Sequence, residues 1–409
     1  MNVKTKKAKN QVNVKNSSIK VLSNEEISRR IEKIEKNLTA HTWRDLETNG
    51  KFEKNDKLTF ISDEMLIVGC DIGSEIHYVR AIDVRGRELS EEVFGFSNNE
   101  EGFESAKAWM LNLAANNDKE QIVLGLEPTG HYWFALTEWL VSKGISVVQV
   151  NPYAVKQSKE IEDNSQLKDD RKDPKIIANL VKDGNYGMPY IPEELYADMR
   201  RLSMFRDQLT EDRIRNINRL HREMKIYFPE YMDAFGKIDG SFALEVLKVA
   251  PMPADIIAHG EDGLRDIWHN AKLRGRGYSR AKDIVSYAKT SVGLTDGTDA
   301  GREAVKWFSE QIIKLDEQLE KIESTLHKKC MEIPYAENLL KINGVGENIL
   351  AGILAEMGDI SRFDDVKEIQ KLSGMSLVAC SSGKHKGQTK ISHRGRKRLR
   401  YWLFQAAKS

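Results

Sequence analysis

The chain has 409 residues, of which 40% are hydrophobic and 31% are charged, and its formal net charge is +1. A chain of this length is too long to fold around one hydrophobic core, so we expect a soluble, charge-rich protein with two to four domains. No apolar run approaches the roughly 18 residues of a membrane span, and the three widely spaced cysteines fit neither a disulfide framework nor a zinc site. The N-terminus has no signal-peptide core, so the expected location is the cytoplasm.

Residues 1–60 are expected to form a basic, partly disordered N-terminal extension. Residues 1–22 contain six lysines and no acidic residue. Such a composition is typical of a disordered arm that either contacts nucleic acid or is simply solvated. A helix is predicted from Asn24 to about Leu38, and the polar residues 40–60 are predicted to be a linker.

The stretch from Met65 to Gly86 (MLIVGCDIGSEIHYVRAIDVRG) predicts two antiparallel strands. An apolar run of strand length ends at Asp71, a small turn follows, and an alternating segment continues to Gly86. Burying an aspartate without a partner costs several kcal/mol, so Asp71 requires a cation or strong hydrogen-bond donors. A simple turn cap explains the same residue equally well.

The elements that follow predict a mixed α/β sheet. A third strand precedes a helix over about 103–115, and a buried strand over 121–126 ends at Glu127. A helix over 132–142 and a strand over 145–150 complete the order of three strands, helix, strand, helix, strand. Glu127 is therefore a second carboxylate at the end of a buried strand.

A charged D-x-x-D segment precedes the next apolar helical stripe. Asp170 and Asp173 are three residues apart, so in a first helical turn they project from one face. Helix capping and the helix dipole also favour acidic residues there. Together with Asp71 and Glu127 they supply an all-oxygen set for two divalent ions, with Mg²⁺ as the natural candidate. Two such ions can activate a nucleophile and stabilise the leaving oxygen in phosphodiester chemistry.

Residues 195–335 predict a helical connector with coiled-coil segments. A long charged helix covers residues 195–230, and from Val305 onward apolar residues alternate at spacings of three and four, which is typical of a coiled-coil seam. The seam packs either against the earlier helix or between subunits, and both alternatives remain open. Residues 231–300 contain short helical pieces and have no assigned role.

Residues 336–409 carry two features that indicate nucleic-acid binding. Gly344 and Gly346 lie between two apolar helical segments, as in a helix-hairpin-helix turn whose amides hold a phosphate, although an ordinary tight turn also explains them. From Lys384 to Arg400 the chain has eight Lys or Arg, two His and no acid, a density typical of a phosphate-binding surface. The candidate binding residues are the two glycines and Lys384, Lys386, Lys390, Arg394, Arg396, Lys397, Arg398 and Arg400.

The tripeptide Ser381-Ser382-Gly383 lies at the upstream edge of this basic segment. A serine beside a glycine and among cations could attack a phosphodiester, because the cations stabilise the developing charge. Taken alone, such a tripeptide is more often a flexible loop without a catalytic role.

These motifs together resemble the IS110 family of insertion-sequence transposases, with its IS1111 subgroup. The first match comprises CDIGSEIHYVRAIDVRG, GLEPTGHYW and KDDRKDPKIIANL with its D-x-x-D. The second, more specific match comprises INGVGENILAGILAEMGDISRF and LSGMSLVACSSGKHKGQTKISHRGRKRLR. The two blocks occur in the family's order and cover most of residues 65–185 and 336–409, a little under half of the chain.

The resemblance implies an α/β plus all-α protein with an RNase H-like (RuvC-like) domain over residues 61–190, in which the four carboxylates form a DEDD metal tetrad. It implies a C-terminal serine domain in which Ser382, with Ser381 as the fallback, attacks DNA and becomes covalently linked to it. It also implies a homo-oligomer, a dimer or a tetramer, in which the tetrad of one subunit completes a site with the serine of another. A structured bridge RNA that pairs with double-stranded donor and target DNA, and a prokaryotic, nucleoid-associated protein, are further expectations.

The leading hypothesis is therefore a DNA transposase/recombinase that cleaves and rejoins DNA strands. One alternative is a RuvC-type, metal-dependent, structure-specific nuclease that needs no serine. A second is an ATPase of the actin/sugar-kinase type, but the chain has no second Asp-x-Gly hairpin and no glycine-rich adenosine loop. A third is an inactive nucleic-acid-binding remnant, because the chain ends at Ser409 inside an apolar segment that family members usually continue.

Overall fold

The protein is described by a computed structural model that divides into two compact units, one up to Ile191 and one from Pro192 onward. The described residues are 22–43, 45, 53–162, 173–275, 279–378, 381–382 and 385–409, without the side chains of 160–162, 381–382 and 385–386. Residues 1–21 of the predicted basic arm, which covers residues 1–22, therefore lie outside the described residues. The proposed tetrad residue Asp170 and the predicted phosphate ligand Lys384 lie outside them as well.

Two helices, α1 (Asn24–Asn37) and α2 (Lys54–Phe60), begin the first unit. The hydroxyl of Ser23 accepts a hydrogen bond from the amide of Glu26, whose carboxylate accepts one from the amide of Ser23. This reciprocal cap satisfies two amides that the helix leaves unpaired, and the predicted first helix is confirmed. The prediction of a linker throughout residues 40–60 is wrong at α2, whose polar sequence carries no apolar stripe.

A six-stranded mixed sheet forms the centre of the first unit, in the order β3-β2-β1-β4-β5-β6. The strands are β1 (Met65–Asp71), β2 (Ile76–Ile82), β3 (Phe94–Ser97), β4 (Gln121–Leu126), β5 (Ser146–Val150) and β6 (Tyr186–Gly187). Strand β2 runs antiparallel to β1, whereas β4 runs parallel to β1 and β5 parallel to β4. The predicted hairpin and mixed α/β sheet are confirmed, and the short edge strand β6 is an addition.

Helices cover both faces of this sheet. Helices α1, α3 (Glu100–Asn116) and α4 (Trp133–Ser142) pack on one face, and α5 (Pro152–Glu162) and α6 (Asp173–Lys182) pack on the other. Strand β1 is buried on both faces, which explains why its sequence is a continuous apolar run instead of an alternating one. Helix α5 was not predicted, because its sequence is charged and Val155 is its one buried position among the side chains described.

The second unit is built on two long helices of 34 residues each. They are α7 (Glu194–Tyr227) and a helix over Thr298–Met331, and they pack along each other. The predicted long charged helix is thus confirmed. The apolar seam from Val305 packs within the chain, which is one of the two alternatives that the sequence left open.

A helical lobe lies between the two long helices in the chain. Its helices are α8 (Tyr231–Phe235), α9 (Ser241–Val249), α10 (Pro253–Asn270) and α11 (Ala281–Lys289). The second long helix, Thr298–Met331, follows them and is α12. The lobe shares one core with parts of the two long helices, and Tyr231 and Trp268 are fully buried in it. The hydroxyl of Tyr231 donates to the carbonyl of Ala243 at 2.7 Å, and the indole of Trp268 donates to the carbonyl of Phe242 at 2.9 Å.

Short elements make up the end of the chain. They are α13 (Ala336–Leu340), α14 (Glu347–Met357), a 3-10 turn (Ile360–Arg362), α15 (Val366–Ser373) and α16 (Lys397–Lys408), with β7 (Leu377–Val378), β8 (Ser381–Ser382), β9 (His385–Lys386) and β10 (Lys390–Ile391). Strand β10 pairs with β7, and β9 pairs with β8. Among the helices that the structure describes, none is long and apolar enough to cross a membrane.

Candidate active site

The register of the central strands brings two of the predicted carboxylates together. Strands β1 and β4 are parallel neighbours, and Cys70 lies opposite Leu126. The next residue on each strand is a carboxylate, Asp71 at the end of β1 and Glu127 directly after β4. Because neighbouring residues in register point to the same face, both side chains project from the face that α6 covers.

A pair of glycines allows α6 to approach this face closely. Gly69 and Gly125 lie opposite each other on β1 and β4, two residues before Asp71 and Glu127. A Cβ atom added at Gly69 would lie 1.8 Å from the carbonyl oxygen of Pro174, so the first turn of α6 rests directly on the strand backbone. Asp173, the first residue of α6, is thereby brought to the ends of the two strands.

Burial and three neighbouring charges act on the carboxyl group of Glu127. Burial raises the pKa of the Glu127 carboxyl, and the charges of Asp71 and Asp173 raise it further. The charge of Lys159 acts in the opposite direction but does not offset the rise. A raised pKa with these causes is expected for a carboxylate in an acidic cluster that is partly withdrawn from water.

Sequence reasoning missed Lys159, which α5 brings into this cluster. Its ammonium group forms a hydrogen-bonded ion pair with the Oδ2 atom of Asp173. No motif in the sequence singles out this lysine, because it lies in a charged segment in which α5 itself was not predicted. The contact becomes visible only when the sheet, α5 and α6 are assembled.

The ligand type of these three carboxylates, but not their arrangement in the described residues, suits a divalent cation. Carboxylate oxygens are the ligands that hard divalent ions prefer, and Asp71, Glu127 and Asp173 supply them from two strand ends and one helix. Within the described residues, no group of three or more His, Cys, Asp or Glu side chains is arranged closely enough to hold a metal ion. The fourth predicted ligand, Asp170, lies outside those residues, so the tetrad stays a prediction.

The predicted serine motif lies in a tight hairpin of the second unit. Strands β8 and β9 pair so that Ser381 lies opposite Lys386 and Ser382 lies opposite His385. The side chains of these four residues are outside the described part of the chain, so a nucleophilic role for either serine stays a prediction.

The predicted phosphate-binding cations differ in exposure. Lys390, Arg394 and Lys397 are exposed, and Arg396, Arg398 and Arg400 are partly buried in the second unit. Lys384 and the side chain of Lys386 lie outside the described residues. Arg396 donates a hydrogen bond to the carbonyl of Glu356. Arg398 donates to the carboxylate of Asp207 and to the carbonyl of Ser203. Arg400 donates to the carbonyls of Ser373 and His393.

Arg398 belongs to a charged network that joins α7 to α16. Its Nε atom donates to Asp207 at 2.8 Å, and Asp207 also accepts a hydrogen bond from Arg206 at 2.9 Å. The buried guanidinium of Arg206 lies 4.4 Å from the ring centroid of Trp402. This network indicates that Arg398 contributes to the packing of the second unit.

The two candidate glycines of the GVG turn have different surroundings. Gly344 has a φ of 86°, and a Cβ atom added there would lie 2.2 Å from the carbonyl oxygen of Ala406. Gly346 precedes α14, and an added Cβ atom would meet nothing within 4 Å. The tight turn between α13 and α14 is confirmed, and its role in nucleic-acid binding stays a prediction.

Comparison with known families places this chain in a class. A DEDD transposase model of the IS110 type, described as "Transposase", matches residues 68–229. A second model, described as "Transposase IS116/IS110/IS902 family", matches residues 336–409. The protein is thus a transposase in class, which generally implies DNA binding and a divalent metal. The chain belongs to the IS116/IS110/IS902 family of transposases, and the resemblance seen in the sequence is confirmed.

Two curated relatives support this assignment. The "Insertion element IS116 uncharacterized 44.8 kDa protein" of Streptomyces clavuligerus is 26% identical over 338 residues, which are 82% of this chain and 82% of the relative. The "Putative transposase y4uE" of Sinorhizobium fredii is 23% identical over 188 residues, which are 45% of this chain and 51% of the relative.

Proposed function

We propose that this transposase cleaves and rejoins DNA strands by combining a divalent-metal centre with a serine nucleophile. The metal centre comprises Asp71, Glu127, Asp170 and Asp173 in an RNase H-like first unit, and the nucleophile is Ser382. The observation that carries the proposal is the strand register that sets Asp71 beside Glu127 on the sheet face against which the first turn of α6, with Asp173, packs closely.

The carboxylates act as oxygen ligands in this proposal. Two divalent ions, with Mg²⁺ the first choice, supply charge stabilisation for the phosphate oxygens when they are bound. The ends of β1 and β4 fix Asp71 and Glu127 side by side, and α6 presents Asp173 from above the same sheet face. The ligand oxygens would have to move closer together when an ion binds, because the described carboxylates do not form a closed ligand set without it.

Ser382 is proposed to carry the covalent step. Its hydroxyl loses a proton to solvent as its oxygen forms an ester bond with the phosphorus of the DNA backbone. The bond from phosphorus to one sugar oxygen breaks, and that oxygen takes up a proton from solvent, so protons balance. Rejoining reverses these changes with a sugar hydroxyl as the attacking group. The number of phosphate ester bonds is therefore conserved, and no external energy source is needed.

Nucleic-acid partners are proposed from family membership together with the basic C-terminal segment. The exposed side chains of Lys390, Arg394 and Lys397 are suited to DNA phosphates, because closely spaced cations release counterions when they bind a polyanion. We further propose that a structured guide RNA selects donor and target DNA and that the active form is a homo-oligomer.

Covalent trapping tests the proposed chemistry. The full chain is incubated with a donor–target DNA pair, Mg²⁺ and the RNA transcribed from the flanking element, and protein–DNA adducts are separated under denaturing conditions. We expect Ser382→Ala to abolish the adduct while DNA or RNA binding survives, and Ser381→Ala to retain it. Undiminished adduct in Ser382→Ala would refute the serine assignment, and omission of the RNA tests guidance separately.

A metal-dependent nuclease without a serine step is the second candidate function. It is favoured by one observation, namely that the carboxylates converge within the first unit. It predicts that Asp71→Asn abolishes strand cleavage, that Ser382→Ala leaves cleavage intact and that no adduct forms. An inactive remnant would produce neither cleavage nor an adduct in the unaltered chain.

A further inference from the structure

Lys159 lies among the carboxylates of the proposed metal centre. Its ammonium group contacts the Oδ2 atom of Asp173, and its charge acts on Glu127 as well. The side chain of Asp173 is only 16% exposed, whereas that of Lys159 is 39% exposed. The lysine thus reaches from the protein surface into a partly buried group of negative charges.

A group of carboxylates withdrawn from water requires positive charge nearby. The mutual repulsion of Asp71, Glu127 and Asp173 grows as their surroundings become less polar, and the ammonium group of Lys159 offsets part of it. Lysine is suited to a reversible role, because its charge is a compact point on a flexible stem of four carbons. Its exposed position leaves room for the ammonium group to move into solvent.

We propose that Lys159 is the resident counter-ion of the acidic centre, which holds Asp173 beside Glu127 in the metal-free chain and is displaced when a divalent cation binds. This inference rests on the proposed metal centre and assigns a role to a residue outside the tetrad. Lys159 is thus a positioning residue that competes with the metal. A divalent ion has twice the charge of the ammonium group, so it can displace the lysine once its concentration is sufficient.

The competition predicts an increase in metal affinity when the lysine is removed. In Lys159→Gln, no ammonium group has to leave Asp173 before the ion binds, so we expect Mn²⁺ and Mg²⁺ to bind about tenfold more tightly. In Lys159→Arg, a cation remains and the gain should be absent. Lys156→Gln is the matched control, because it removes the same charge from an exposed position on the same helix.

Isothermal titration calorimetry of the full chain with Mn²⁺, at pH 8 and low ionic strength, measures these affinities without requiring DNA. Thermal unfolding in EDTA provides a second measurement. The metal-free Lys159→Gln chain should unfold at a lower temperature than the parent, and saturating Mn²⁺ should raise its unfolding temperature by more than it raises that of the parent. A lysine with a merely structural role would lower the metal affinity when removed.

The outcomes separate this inference from the proposed function. Equal or weaker Mn²⁺ binding by Lys159→Gln overturns the inference, as does an equal gain in Lys156→Gln or the absence of Mn²⁺ binding by every variant. Failure of the proposed function would appear differently, as Mn²⁺ binding without metal-dependent cleavage of DNA by the parent chain.

Discussion

Replacing Gly69 with alanine should separate α6 from the sheet and disable the acidic centre. The added methyl group would lie 1.8 Å from the carbonyl oxygen of Pro174 and 2.6 Å from the amide nitrogen of Ala178, whereas real Cβ atoms essentially never approach within 3.0 Å. Both atoms belong to the helix backbone, so no side-chain rotation relieves the overlap. The first turn of α6 therefore has to retreat by roughly 1 Å.

This displacement sets the expected magnitudes. Overpacking a core costs about 1–3 kcal/mol, and we expect Gly69→Ala to fall near 3 kcal/mol because the contact is with backbone. The retreat also moves Asp173 away from Asp71 and Glu127. A misplacement of roughly 1 Å in a catalytic group can lower the rate by about a hundredfold, and we expect a loss of that size in metal-dependent DNA cleavage.

Urea unfolding and a strand-cleavage assay of the full chain measure the two effects. Gly125→Ala is the matched control, because its added methyl group would lie 2.3 Å from the Cγ2 atom of a side chain, Val181. In the double variant Gly125→Ala/Val181→Ala, the shorter side chain at position 181 should relieve the overlap. No side-chain truncation should restore the stability of Gly69→Ala, because its overlap is with backbone atoms. A Gly69→Ala chain that unfolds and cleaves like the parent would refute the reasoning.

Three further predictions concern other parts of the molecule. Burial against aromatic rings lowers the pKa of His77. As the pH falls through about 6.5, His77 therefore takes up a proton more readily in the unfolded chain than in the folded chain. Urea unfolding should show that the parent loses stability relative to His77→Leu between pH 8 and pH 5. Tyr231→Phe leaves the buried carbonyl of Ala243 without the hydroxyl donor and should cost about 1 kcal/mol in the same assay, without change in DNA affinity. Arg398→Gln removes the hydrogen bond to Asp207 and should lower the thermal unfolding temperature. Lys397 is exposed, so Lys397→Gln should leave that temperature unchanged. It should lower the slope of DNA affinity against salt concentration by the amount expected for about one phosphate contact.

The strands and two members of the carboxylate cluster could be predicted because their signals are local. The buried runs of β1 and β4 each end at a carboxylate, and parallel pairing alone then places Asp71 beside Glu127. The long helices α7 and α12 were likewise readable from apolar spacing. Their pairing within the chain was not, because the same seam suits an internal or an intermolecular partner equally well.

The helical lobe could not be predicted because its core is assembled from distant positions. Helix α10 contains Gly260 at a φ of 64°, which interrupts its periodic pattern. Tyr231 and Trp268 are 37 positions apart in the sequence, and their burial depends on how the lobe helices pack together with the two long helices. A window of about 11–18 residues contains no signal for such contacts.

The acidic centre depends on two features that no motif in the sequence records. Asp173 reaches the strand ends only because Gly69 and Gly125 allow α6 to approach the sheet closely. The resulting repulsion is partly offset by Lys159, from a helix that was not predicted from the sequence. A carboxylate motif therefore suggests the ligands of the proposed metal centre, whereas the spacing and charge balance of those ligands depend on helix packing. Tests of this centre should accordingly vary the glycines and the lysine as well as the carboxylates.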